Sequence, residues 1–131
     1  YLVKLINELQ SINYYKKISE FLKKNLSNAF VRLEIISDKK GFWLKPHKDI
    51  SEKLMTMMIW ANPYNESENL GTDLYNDNFE IVKTVKYKHN CGYFFSSGQD
   101  TWHGLEKKEI RKERRCIQIN YVNFKTDWPV E

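Results

Sequence analysis

Apolar residues recur at helical spacing from the start of the chain: Leu2, Leu5, Ile6 and Leu9, then Tyr15, Ile18, Phe21, Leu22 and Leu26. This predicts two amphipathic helices broken near Ser11-Ile12-Asn13, their lysines and glutamates on the opposite face. After Asn28 the period becomes two and the residues turn β-branched and aromatic. Strands are predicted at Val31–Ile36, Phe42–His47, Leu54–Ala61, Leu70–Tyr75, Phe79–Tyr87, Gly92–Ser96 and Glu113–Val122, separated by turn chemistry such as Asp38-Lys-Lys-Gly41 and Asn76-Asp77-Asn78. With no helix-length insert between them, they indicate an antiparallel sandwich or barrel. Leu54–Ala61 is apolar on both faces, which predicts a central strand with the helices over one side. One domain, 1–131, is expected, with helical support over 1–28 and a β core over 29–124.

Composition narrows the class. A chain of 131 residues that is 41% hydrophobic and 15% aromatic can bury a core, and no apolar run approaches membrane-spanning length. The formal net charge of +4 permits an anionic partner without requiring one; nucleic acid is allowed but not indicated. Cys91 and Cys116 do not suggest a disulfide framework, and with no cleavable leader pattern a cytoplasmic location is expected. A start at Tyr1 is what a fragment of a longer protein would show.

Two features carry chemistry. Pro46-His47-Lys48-Asp49 puts His47 and Asp49 on one face at a strand end, and His103 follows the apolar strand Tyr93-Phe94-Phe95. Two imidazoles and one carboxylate can cap one face of an octahedral Fe(II) and leave the other face open. A closed structural zinc site would need a fourth ligand, for which His89 and Cys91 are the candidates. The second feature is Arg115. Alternation in Arg114–Val122 groups it with Ile117, Ile119 and Tyr121, so if the apolar face points inward Arg115 is carried toward the core. A buried guanidinium needs a carboxylate partner, either a core acid such as Asp73 or a bound ligand. The polar run Glu106–Glu113 reads as a solvated hairpin loop returning Arg115 beside His103.

Five segments in order, Gly41-Phe-Trp-Leu-Lys-Pro-His-Lys-Asp49, Ile59-Trp-Ala-Asn-Pro63, Asn69-Leu-Gly-Thr-Asp-Leu-Tyr75, Thr101-Trp-His-Gly104 and Arg114–Val122, resemble the 2-oxoglutarate and Fe(II)-dependent dioxygenases, most closely the prolyl-4-hydroxylase-like branch. The resemblance implies an α+β, mainly β fold: a double-stranded β-helix, or jelly-roll barrel, packed under two N-terminal helices. It implies Fe(II) on His47, Asp49 and His103, with 2-oxoglutarate as cosubstrate, dioxygen as co-reactant and a substrate it does not identify. Around the cosubstrate it places Arg115 on the distal carboxylate and Leu74 on the carbon chain. Trp60 and Ser37 stand where this branch often has tyrosines and Ile119 where it often has a hydroxyl, and Thr56 and Ser37 are the candidates to supply the missing hydrogen bonds. Two other functions fit the same residues: a zinc-dependent hydrolase using the His/Asp/His cluster, and a non-catalytic jelly-roll module whose arginine holds an acidic ligand.

Overall fold

The computed structural model describes residues 1–131. The protein is α+β and mainly β. Helices α1 (Leu2–Gln10) and α2 (Ile12–Leu22) precede strands β1 (Phe30–Asp38), β2 (Leu44–His47), β3 (Lys53–Ala61), β4 (Thr72–Tyr75), β5 (Ile81–Val85), β6 (Gly92–Phe95), β7 (His103–Leu105) and β8 (Arg114–Val122). The helices part at Ser11, whose extended backbone (φ −68°, ψ 139°) lets α2 start afresh. No helix is long and apolar enough to cross a membrane.

The strands form two four-stranded antiparallel sheets, β1-β8-β3-β6 and β2-β7-β4-β5, neither closed on itself. The pairings nest: β1 with β8, β2 with β7, β3 with β6, β4 with β5. The chain is thus one long antiparallel hairpin folded over repeatedly, and β3–β8 and β4–β7 join the folds side by side. This order makes β7 and β8 members of different sheets. The Glu106–Glu113 run is therefore a crossover rather than the expected hairpin loop, and buried acids hold it down. Glu66 accepts the N–H groups of Arg111 (3.0 Å) and Lys112 (2.6 Å), and Asp73 accepts from the Glu106 N–H (2.9 Å) and Lys108 Nζ (2.7 Å).

Both faces of the first sheet are covered, by different partners. Met55 and Met57 of β3 and Ile119 and Tyr121 of β8 pack under Leu9, Tyr15 and Ile18 of the helices, where Tyr121 also donates to the Leu9 carbonyl. The alternate residues, Met58 and Trp60 with Cys116, join Leu70, Tyr87 and Ile110 between the sheets. The apolar face of β8 is therefore the one beneath the helices. The expectation that it points between the sheets is overturned: the two helices supply the apolar surface that Ile117, Ile119 and Tyr121 bury against. The more polar face, with Arg114, Cys116 and Gln118, looks into the space between the sheets.

Candidate metal centre

His47 ends β2 and His103 begins β7, and the two are partners in the β2–β7 ladder, with ring centroids 4.3 Å apart. Gly104 makes this closeness workable, since a Cβ there would lie 2.5 Å from the Leu44 carbonyl oxygen of β2. Asp49, just beyond β2, completes a group whose ligand atoms all lie within 4.8 Å of one another. Each imidazole is oriented from behind: Nδ1 of His47 lies 3.0 Å from the Lys45 carbonyl and Nδ1 of His103 lies 2.8 Å from that of Thr101. With Nδ1 facing a carbonyl, each ring turns its Nε2 toward the shared centre, which is how second-neighbour carbonyls prepare histidine ligands.

Asp49 is divided between two tasks. Its Oδ2 accepts from Thr56 Oγ1 (2.5 Å), which in turn accepts from Asn120 Nδ2 (2.9 Å). Oδ1 is left facing the histidines, 3.4 Å from His103 Nε2 and 4.0 Å from His47 Nε2, so the carboxylate offers one oxygen to the centre. Burial alone would raise its pKa, but hydrogen bonds from His103 and Thr56 and the charge of Lys53 outweigh burial and hold it at about 2. Asp49 is thus an anion throughout the neutral range, as a cation ligand must be. Two nitrogens and one carboxylate oxygen on one side suit an octahedral divalent ion with open positions better than a closed zinc site. His89, considered above as a fourth ligand, is turned elsewhere and faces the Asn62 N–H at 3.1 Å.

The triad opens into a cavity of about 260 Å³ between the two sheets. Its wall includes Arg114, Asp38, Thr72, Tyr93, Cys116 and Gln118. Arg114 is 5% exposed; it donates from Nε to the Leu70 carbonyl, from Nη2 to that of Gly71 (3.1 Å) and from Nη1 to Asp38 Oδ2 (2.5 Å). Its guanidinium also sits 4.7 Å above the Trp60 ring. Burial pushes the Tyr93 hydroxyl up to about 12, against the lowering effect of its Thr72 hydrogen bond, and the Cys116 thiol up to about 11. Both are neutral wall groups.

Arg115 is not in this cavity. It leaves the other face of β8, with its side chain 43% exposed, and is held by Glu113 (2.6 Å from Nε) and the Tyr64 hydroxyl (3.1 Å). The assignment of the buried cation to Arg115 is corrected to Arg114, and the reason is the same inversion of β8's faces. Ile119 is likewise under the helices, and Ser37 is on the Arg115 side, donating to Glu113 (2.6 Å). Asp73 binds Lys108 rather than an arginine. Thr56 does line the cavity, but its hydroxyl is committed to Asp49. Trp60 packs under Arg114, its indole N–H buried without an acceptor. Leu74 lines a neighbouring cavity of about 450 Å³ with Val82, Val85, Phe95 and Trp102. Tyr93 and His103 line both cavities and stand between them. Arg114, Asp38 and Gln118 are the site residues that sequence reasoning missed. The signal for them was the strand's polar face, once the apolar face was given to the helices.

No family model matches this chain, and no curated protein matches it. Fold and site define its class: an open two-sheet β framework under two helices, with a triad of metal-ligand type and a buried arginine sharing one cavity.

Proposed function

We propose that this protein is a 2-oxoglutarate- and Fe(II)-dependent dioxygenase on a jelly-roll framework, hydroxylating a substrate still to be identified. One observation carries the reading: His47, Asp49 and His103 converge on a single centre, and Arg114 lines the cavity that centre opens into. The nested strand pairing supports the framework, since a folded-over hairpin of eight strands in two sheets is the jelly-roll pattern. The donor set fits Fe(II) through its three-ligand, one-sided geometry, and the cavity fits a small dicarboxylate with one end at the centre and the other at a guanidinium.

Bound Fe(II) and 2-oxoglutarate would supply the oxidising chemistry, in which dioxygen is consumed, the keto acid gives succinate and carbon dioxide, and a substrate C–H becomes C–OH. The chain's own residues do the rest. The Lys45 and Thr101 carbonyls keep both imidazoles aimed, Thr56 restricts Asp49 to one oxygen, and Arg114 anchors the far carboxylate. Met58, Tyr93 and Cys116 make the walls that limit water. A zinc hydrolase could use the same three ligands, but it gives Arg114 no task.

Anaerobic Fe(II) titration followed by a succinate-release assay tests the reading. One high-affinity ion per chain and Fe(II)-dependent succinate formation are expected, both lost in His47→Ala and His103→Ala. Tight binding of Zn(II) without any keto-acid turnover under iron would refute it.

A further inference from the structure

Arg114 is not a free cation waiting for a ligand. A guanidinium has five N–H donors, and three of Arg114's are engaged: two by the Leu70 and Gly71 carbonyls and one by Asp38. Asp38 is its partner in the last rung of the β1–β8 ladder, so the two side chains leave the sheet together on one face. Asp38 is itself buried, at 6% exposure, and lines the same cavity. Any carboxylate reaching Arg114 therefore meets a second carboxylate already on the same fork. Like charges sharing one site oppose each other strongly where water is scarce.

We propose that Asp38 competes with carboxylate ligands for Arg114 and so sets the cavity's affinity for its cosubstrate, an inference that rests on the oxygenase reading above. The acid acts on the distal end of the ligand only; the end that meets the metal is untouched. Burial outweighs Arg114's attraction and holds the Asp38 carboxyl above its ordinary value, consistent with a pairing that an incoming anion can disturb. Asp38 thus makes the site selective: a ligand must chelate at the metal end to compensate for a contested distal end.

The test is calorimetric binding to the Mn(II)-loaded protein, with 2-oxoglutarate, glutarate and 2-oxobutyrate as probes. Asp38→Asn keeps shape and an acceptor for Arg114 but removes the charge. It should tighten 2-oxoglutarate and glutarate by about tenfold and leave 2-oxobutyrate, which has no distal carboxylate, unchanged. Unchanged, weaker or undetectable 2-oxoglutarate binding by a folded Asp38→Asn variant overturns the inference, because Asp38 would then only hold Arg114 in place. A wild-type measurement covers a variant that does not fold. Replacing 2-oxoglutarate by 2-oxoglutaramate, whose distal group is an amide, should cost less than about tenfold, whereas a loss near a hundredfold means that Arg114 is uncontested and overturns the inference. Failure of the oxygenase reading shows differently: 2-oxoglutarate and glutarate would bind wild type equally, while Asp38→Asn could still tighten both.

Discussion

Arg114 and Arg115 are consecutive in the chain, yet their guanidinium groups lie on opposite faces of one sheet. Arg114 faces the cavity and Asp38; Arg115 faces Glu113 and Tyr64 at the surface. Their substitutions should therefore separate cleanly. Arg114→Lys keeps a charge but loses the fork, and should weaken 2-oxoglutarate binding by less than about tenfold. Arg114→Ala leaves Asp38 buried without its cation and should in addition cost about 3–5 kcal/mol of stability. Arg115→Ala removes a solvent-screened surface pair and should leave stability close to wild type, with binding unchanged. Urea unfolding and calorimetry on the three variants check this.

Thr56 holds Oδ2 of Asp49 and leaves Oδ1 facing the two histidines. Thr56→Val keeps the volume and removes the donor, so Asp49 is freed to rotate and Asn120 Nδ2 keeps only the Met55 carbonyl as acceptor. Metal affinity should fall by about 10- to 100-fold, and Thr56→Ser should restore most of it. Mn(II) binding followed by electron paramagnetic resonance reads the difference directly.

The depressed pKa of Asp49 makes a signed prediction for the metal-stripped protein. Its value of about 2 lies below the ordinary 3.8, so the group stabilises the fold above pH 4 and loses that contribution as pH falls through about 2. The full contribution is about 2 kcal/mol. Between about pH 5 and pH 2.5, wild type should lose about 1.5 kcal/mol more than Asp49→Asn. Equal losses in urea unfolding would mean that Asp49 is not held by its neighbours.

The two cysteines should react at different rates. Cys91 is exposed, whereas Cys116 is buried in the cavity wall with its thiol pushed up to about 11, leaving little thiolate at neutral pH. A maleimide should label Cys91 quickly in the folded protein and Cys116 only after denaturation. Mass spectrometry of the labelled peptides reports each site, and fast labelling of Cys116 would mean that the cavity is open to bulk water.

Much of this was legible in the chain because the signals were local. The Leu2–Leu9 and Tyr15–Leu26 spacings gave the helices, the two-faced apolar run Leu54–Ala61 gave central β3, and His47-x-Asp49 with His103 gave a cluster that the fold brings within 4.8 Å. Strand β7 escaped notice because it is only His103–Leu105 and owes its existence to its neighbours β2 and β4. The strand expected over Phe79–Tyr87 is shorter, Ile81–Val85, since Phe79 turns the chain at φ 61°. The wrong arginine has a deeper cause. Alternation sorts β8 into two faces but does not say which looks between the sheets, and here both faces are covered. The choice depends on where the helices dock, a long-range fact that no window of β8 contains.

The most direct test of the central claim is the visible spectrum of the protein with Fe(II) and 2-oxoglutarate under anaerobic conditions. A keto acid chelated to iron on this triad should give a weak metal-to-ligand absorption band in wild type and Arg115→Ala, weakened or shifted in its concentration dependence by Arg114→Lys and absent in His103→Ala. No band at saturating 2-oxoglutarate, or one indifferent to Arg114 and His103, would contradict the account.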